Sequence, residues 1–177
     1  MEQPALRDFD ALALFDALDE RRASCHLSWQ GAASAMWALS SELNRTRGDH
    51  PVSPSTLTGL RRRHDTSCQH ALFMLRWLDA MPEAFLVGDL PALAAPLPPA
   101  GPDRRPRWRL SALSDAVISY RVEHSLTWKE MASLLRCTPH QLTGLKTARF
   151  ATSMNVAMKI AQLAERPAAS FIYAARW

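Results

Sequence analysis

Arg61-Arg62-Arg63, followed by His64, is the densest run of positive charge in the 177-residue chain. Three adjacent guanidiniums suit a polyanion, because each phosphate they neutralise adds affinity and steepens its salt dependence. A solvated helix end accounts for the same run, since the helix dipole also favours cations at a C-terminus. Both readings stand at this point. Around these residues there is no nucleophile elbow, Walker loop, HExxH pair or paired-carboxylate signature, so an enzyme is not expected. His64, Cys68 and His70 lie close in sequence, but no fourth ligand follows at regular spacing, so neither a metal nor a cofactor is expected. Cys25, Cys68 and Cys137 are odd in number and far apart, with no CxxC pair, and read as reduced, mostly buried thiols of a cytoplasmic protein.

Composition narrows the class further. Hydrophobic residues make up 47% and charged residues 21%, enough for a packed core and too apolar for wholesale disorder. No apolar run approaches the ~20 residues that span a bilayer, and the acidic start MEQPALRDFD does not read as a signal peptide. No membrane association is expected. The net charge of +4 is uneven: residues 1–87 carry 9 Lys/Arg against 11 Asp/Glu, and residues 88–177 carry 12 against 6. A modestly basic body fits a polyanionic partner without requiring one.

The elements that position these residues read as helices. There is no Asn-Gly or Asp-Gly turn, and alternating β-branched runs are nearly absent, so an all-α fold is expected. Six prolines between Pro91 and Pro106 predict an extended linker over 88–108, rich in Arg toward its end (Arg104, Arg105, Arg107 and the adjoining Arg109), between helical domains at 1–87 and 109–177. Those linker arginines suit either a nucleic-acid backbone or plain solubility.

The two halves repeat each other. Ser53-Pro-Ser-Thr-Leu-Thr-Gly-Leu60 matches Thr138-Pro-His-Gln-Leu-Thr-Gly-Leu145, and Leu27-Ser-Trp-Gln30 matches Leu126-Thr-Trp-Lys129. Leu75, Leu78 and Pro82 align with Ile160, Leu163 and Pro167, and a 14-residue insertion near 40–50 sets the first unit apart. Thr127 with Glu130 and Thr138 with Gln141 have capping-box spacing, and Pro54 and Pro139 stand at first helical positions. The second unit is predicted as helices near 110–124, 128–135, 139–147 and 153–165. The first is predicted as helices near 8–24, 29–45, 54–63 and 68–80. A short helix, a tight turn at Arg136-Cys137 and a second capped helix make a helix-turn-helix layout. Met131 and Leu135 are placed to pack on Leu142 and Leu145.

At Leu126 to Lys146 the chain resembles the Cro/CI-type (XRE) helix-turn-helix family, and it carries the pattern twice. The resemblance covers residues 109–172 well and 8–86 more loosely, because of the insertion. It implies two tandem lambda-repressor-like domains in a bacterial, nucleoid-associated transcription regulator that represses by occupying double-stranded DNA, expected as a homodimer.

The resemblance also implies roles. The second helix of each motif enters the major groove, with base-reading candidates Ser55, Thr56, Thr58 and Arg61 in one unit and His140, Gln141, Thr143 and Lys146 in the other. Gln141 reads equally well as a cap, and His140 as a solvated histidine. Phosphate candidates are Arg62, Arg63 and Arg149 beside those helices. Ser28, Gln30, Thr127 and Lys129 join them where the motif's first helix opens. Trp29 and Trp128, next to these caps, read as packing anchors or as part of the phosphate site. Gly59 and Gly144 read as packing contacts or as points of close approach to DNA. A different reading keeps one unit, the atypical first, for dimerisation or protein docking, as in an antitoxin or a phage-defence regulator.

Overall fold

The computed structural model describes residues 4–149 and 151–176. In the first unit, α1 (Ala11–Ser24) and α2 (Trp29–Ala38) are followed by α3 (Pro54–Thr58) and α4 (Leu60–Arg63), which Gly59 joins without leaving the right-handed region. Helix α5 (Cys68–Leu78) completes the unit. The second unit repeats this order as α6 (Leu110–Glu123), α7 (Trp128–Leu135), α8 (Pro139–Thr143) and α9 (Met154–Leu163). The start of each motif is legible locally. Asp10, Ser28, Ser53, Ser67, Thr127, Thr138 and Ser153 each accept a backbone N–H of the first turn.

The all-α expectation is corrected by two strands. Arg105–Trp108 (β1) pairs antiparallel with Ile172–Ala175 (β2), in the register Arg105 to Ala175 and Trp108 to Ile172. The expected linker therefore ends in a strand. Pro106 is tolerated there because a two-stranded sheet has only edges. The tail from Ala168 is a core lid, with Phe171, Ile172 and Ala175 buried. The first unit holds a remnant of the same clasp, a single bridge between Phe9 and Leu86. Asp10 N donates to Phe85 O and Arg109 N to Phe171 O, each at 2.7 Å, so both clasps sit at the same place in the repeat.

Two expected helices differ in extent. Helix α2 stops at Ala38 rather than near 45, since the insertion follows as turns and a short 3-10 segment, Leu43–Arg45. Helix α8 ends at Thr143, and turns carry the chain on to Ala148. The caps also shift the repeat in the last helix. Ser67 corresponds to Ser153 and Asp79 to Glu165, one residue later than the alignment of Leu75 with Ile160.

The two units pack on each other through one continuous hydrophobic cluster running from Phe9 to Ile172. The N-caps of α5 and α9 face each other in an antiparallel bridge, Ser67 to Ser153. Cys68 N donates to Thr152 O and Met154 N to Thr66 O, both at 2.8 Å. Each unit's leading arm lies over the other unit's last helix. Gln162 of α9 accepts from Arg7 N (2.8 Å) and donates to Arg7 O (3.0 Å), while Asn155 accepts from Phe9 N. In mirrored fashion, Gln69 of α5 donates to Pro106 O and Arg76 to Arg104 O.

Arg76 also donates to Leu39 O, Ala100 O and Gly101 O, which fastens the Pro-rich segment down. The insertion folds over it. Arg105, read from sequence as a solvent- or DNA-facing linker residue, is 1% exposed and donates to Asp49 (2.7 Å) and Asn44 (2.9 Å) of the insertion. That hydrogen bond and charge pull the Asp49 carboxyl from 3.8 to about 2. Because the folded pKa lies below the unfolded one, the contribution is present above about pH 4 and is lost as pH falls toward 2. Thermal melts should therefore show a flatter acid limb for Asp49→Asn than for the parent between pH 4 and pH 2. Burial likewise pushes the Cys68 thiol up to about 12 and the Cys137 thiol up to about 11, while Cys25 is exposed.

Candidate nucleic-acid interface

The helix from Pro54 to Arg63 buries Leu57 and Leu60, and the stretch from Pro139 buries Leu142 and Leu145 at the same steps. This fixes which side of each helix is left to solvent. Ser55, Thr58, Arg61 and Arg62 are exposed in the first unit, as are His140, Gln141, Thr143 and Lys146 in the second. Residues three apart share a helix face, so Ser55, Thr58 and Arg61 form one stripe, and His140 and Thr143 form its counterpart, with Lys146 exposed in the turns that follow α8. The Thr58 hydroxyl donates to Pro54 O (3.1 Å) and the Thr143 hydroxyl to His140 O (3.2 Å). Both hydroxyl oxygens keep acceptor capacity outward.

Two of the base-reading candidates serve as caps. Gln141 Oε1 accepts from Thr138 N at 2.8 Å, so its carbonyl end closes the capping box and only its amide NH2 is left to contact a ligand. Thr56 is half-buried, with its hydroxyl accepting from Ser53 N and bonded to the Ser53 hydroxyl at 2.9 Å. At Gly59 an added Cβ would meet the Arg63 guanidinium at 2.4–2.6 Å, because Arg63 folds back and donates to Thr56 O. The open face of this glycine thus holds an arginine, and Arg63 lies along the helix rather than beyond its end. Arg149 is exposed just past the turns that follow α8.

The openings of α2 and α7 differ. Ser28 Oγ accepts only from Gly31 N (3.0 Å), and Gln30 is exposed beside it. At α7 the Glu130 carboxylate occupies the same position as Gly31. It accepts from both the amide and the hydroxyl of Thr127 at 2.7 Å, which holds its pKa below the ordinary value. A helix N-terminus attracts anions, and Glu130 already fills that role at α7. Thr127 is therefore engaged internally, Lys129 is exposed next to it, and the α2 opening is the better phosphate seat.

The two tryptophans are packing anchors. Arg22 lies 5.0 Å from the Trp29 ring centroid and donates to Leu27 O, and Arg121 lies 4.8 Å from Trp128 and donates to Leu126 O. Trp29 also stacks on Phe15, with ring centroids 5.3 Å apart. This duplicated clamp fixes the corner between the first two helices of each unit. Its sequence signal, an Arg seven residues before each Trp, was there to be read. In the motif's turn, Arg136 takes the left-handed conformation that usually favours glycine (φ 55°) and pairs with Asp8 at 2.9 Å.

Among the described residues no three potential ligands gather to hold a metal ion, and no helix is long and apolar enough to cross a membrane. No family model, curated protein or solved structure matches the chain, so the reading of its surface rests on its own residues and their geometry.

Proposed function

We propose that the protein is a sequence-specific double-stranded DNA-binding transcription regulator, acting by occupancy, with α3–α4 and the stretch opened by α8 as reading elements. One observation carries the proposal: the same capped helix start occurs twice, buries two leucines at equivalent positions and leaves polar residues exposed at equivalent positions. The stripe residues have the right chemistry. Arginine bonds guanine bidentately, and Ser, Thr and the Gln amide meet base edges or a thymine methyl. Arg62 and Arg149 are exposed cations beside these elements, and the α2 opening presents helix N–H groups, both suited to phosphates.

A titration of a mixed-sequence 30-base-pair duplex, followed by fluorescence anisotropy over a salt series, tests this. The expected result is binding whose log affinity falls linearly with log salt, with a slope of several units. Folded protein that shows no binding at low salt would overturn the reading.

Gln141 offers a finer test. Gln141→Glu keeps the capping-box spacing, so the melting temperature should move by no more than a few degrees. It replaces the outward amide with a carboxylate, and duplex affinity should fall at least tenfold. Unchanged affinity would remove the α8 opening from the interface.

A further inference from the structure

We propose that a single copy of the chain is a preformed two-headed reader. It takes one duplex per chain, with two dissimilar half-sites one DNA turn apart. The inference rests on the double-stranded DNA reading above and adds to it the stoichiometry, spacing and asymmetry of the ligand.

The argument starts at Ser67 and Ser153, equivalent N-caps that oppose each other in an antiparallel bridge. The bonds flanking them are reciprocal: Cys68 N to Thr152 O and Met154 N to Thr66 O, both 2.8 Å. Exchanging the two units turns each bond into the other, so a local two-fold axis passes between the serines. Farther from that point the last helices still hold the opposite arms from equivalent positions, Gln162 on Arg7 with Arg76 on Arg104 and Asn155 on Phe9 with Gln69 on Pro106. The second arm is displaced by two residues, so the two-fold is local to the bridge and approximate at the arms.

A two-fold rotation preserves direction along its own axis. Whatever side of the molecule the α3–α4 stripe faces along that axis, the α8 stripe faces too. Duplex DNA has two-fold axes of its own between successive major-groove segments, and paired helix-turn-helix motifs meet it along such an axis.

Chain reach then selects the spacing. Four residues join Arg63 to Ser67, at most about 14 Å of extended chain, and the middle of the ten-residue helix lies about 7 Å further on. In the second unit Arg149 N donates to Gly144 O at 3.2 Å and four residues join Arg149 to Ser153, so the reach is about the same. With about 5 Å across the bridge, the two centres lie no more than about 45–50 Å apart. One DNA turn, ~34 Å, lies within that limit, and two turns, ~68 Å, do not. The crossed arms, the shared core and the Asp8–Lys159 pair (2.7 Å) hold the spacing fixed. The half-sites differ because Ser55, Thr58 and Arg61 stand on one side where His140, Thr143 and Lys146 stand on the other.

The test begins with enrichment of bound duplexes from a random library at near-physiological salt. The mass of the complex is then measured by native mass spectrometry, and five or ten base pairs are inserted between the enriched half-sites. One chain per duplex is expected. So is an affinity loss of about 100-fold on five-base-pair insertion, as the second head loses its effective concentration. Ten inserted base pairs should not restore binding, because the reach excludes two turns. Two chains on each duplex, a perfect palindrome, or indifference to the insertion would overturn the proposal and leave DNA binding standing. Failure of the folded protein to enrich any duplex would overturn the DNA reading and this proposal with it.

Discussion

Replacing Asp8 with alanine should destabilise the fold by about 3 kcal/mol. Asp8 Oδ1 lies 2.7 Å from the Lys159 ammonium, whose side chain is 2% exposed, and Asp8 Oδ2 lies 2.9 Å from Arg136. The hydrogen bond from Lys159 holds the Asp8 carboxyl below its ordinary pKa. Removing one partner of a buried pair leaves an uncompensated charge, at a cost of roughly 3–5 kcal/mol. Asp8 itself is 41% exposed, so water entering beside the ammonium places the loss at the lower end. Denaturant unfolding measures it directly. The double variant Asp8→Ala with Lys159→Met should recover most of the loss, since a dry apolar contact replaces a lone charge. A double variant no more stable than Asp8→Ala would show that the loss comes from the arm's packing instead.

Replacing Arg61, Arg62 and Arg63 together with alanine should leave the fold intact and weaken duplex binding. All three are exposed, and the buried side of the helix is carried by Leu57 and Leu60. Each lost phosphate contact removes ~0.9 from the slope of log affinity against log salt. Loss of Arg62 and Arg63 as phosphate contacts lowers the slope by about 1.8, and loss of the Arg61 base contact costs a further ~1–3 kcal/mol, together at least about 100-fold at near-physiological salt. A duplex titration across salt concentrations reads both quantities. An affinity loss with an unchanged slope would assign the arginines to base edges rather than to phosphates. No loss at all would favour the reading in which the first unit docks to protein.

What the sequence made legible was local. The duplicated Ser-Pro-Ser-Thr-Leu-Thr-Gly-Leu and Thr-Pro-His-Gln-Leu-Thr-Gly-Leu stretches mark their own helix starts through short-range caps, and the structure forms those caps. The exposed stripes follow from the same repeat, because Leu57, Leu60, Leu142 and Leu145 fix the buried side. What escaped depends on partners distant in sequence. Pro106 and its neighbouring arginines read as linker because nothing nearby shows that Ile172 to Ala175 will pair with them. Arg105 carries no local sign of burial, since its counter-charge is Asp49 in the insertion. The one-residue shift in the last helix escaped because leucines recur often enough along these helices to support more than one alignment. Only the serine caps and their bridge settle the register.

Methylation protection on the enriched duplex tests the central claim most directly, because the reagent marks guanine N7 in the major groove and adenine N3 in the minor groove. Bound protein should protect guanine N7 in two clusters about ten base pairs apart on one face of the duplex, leaving adenine N3 reactive. Protection confined to adenine N3, or no protection by protein that binds, would contradict major-groove reading by α3–α4 and α8.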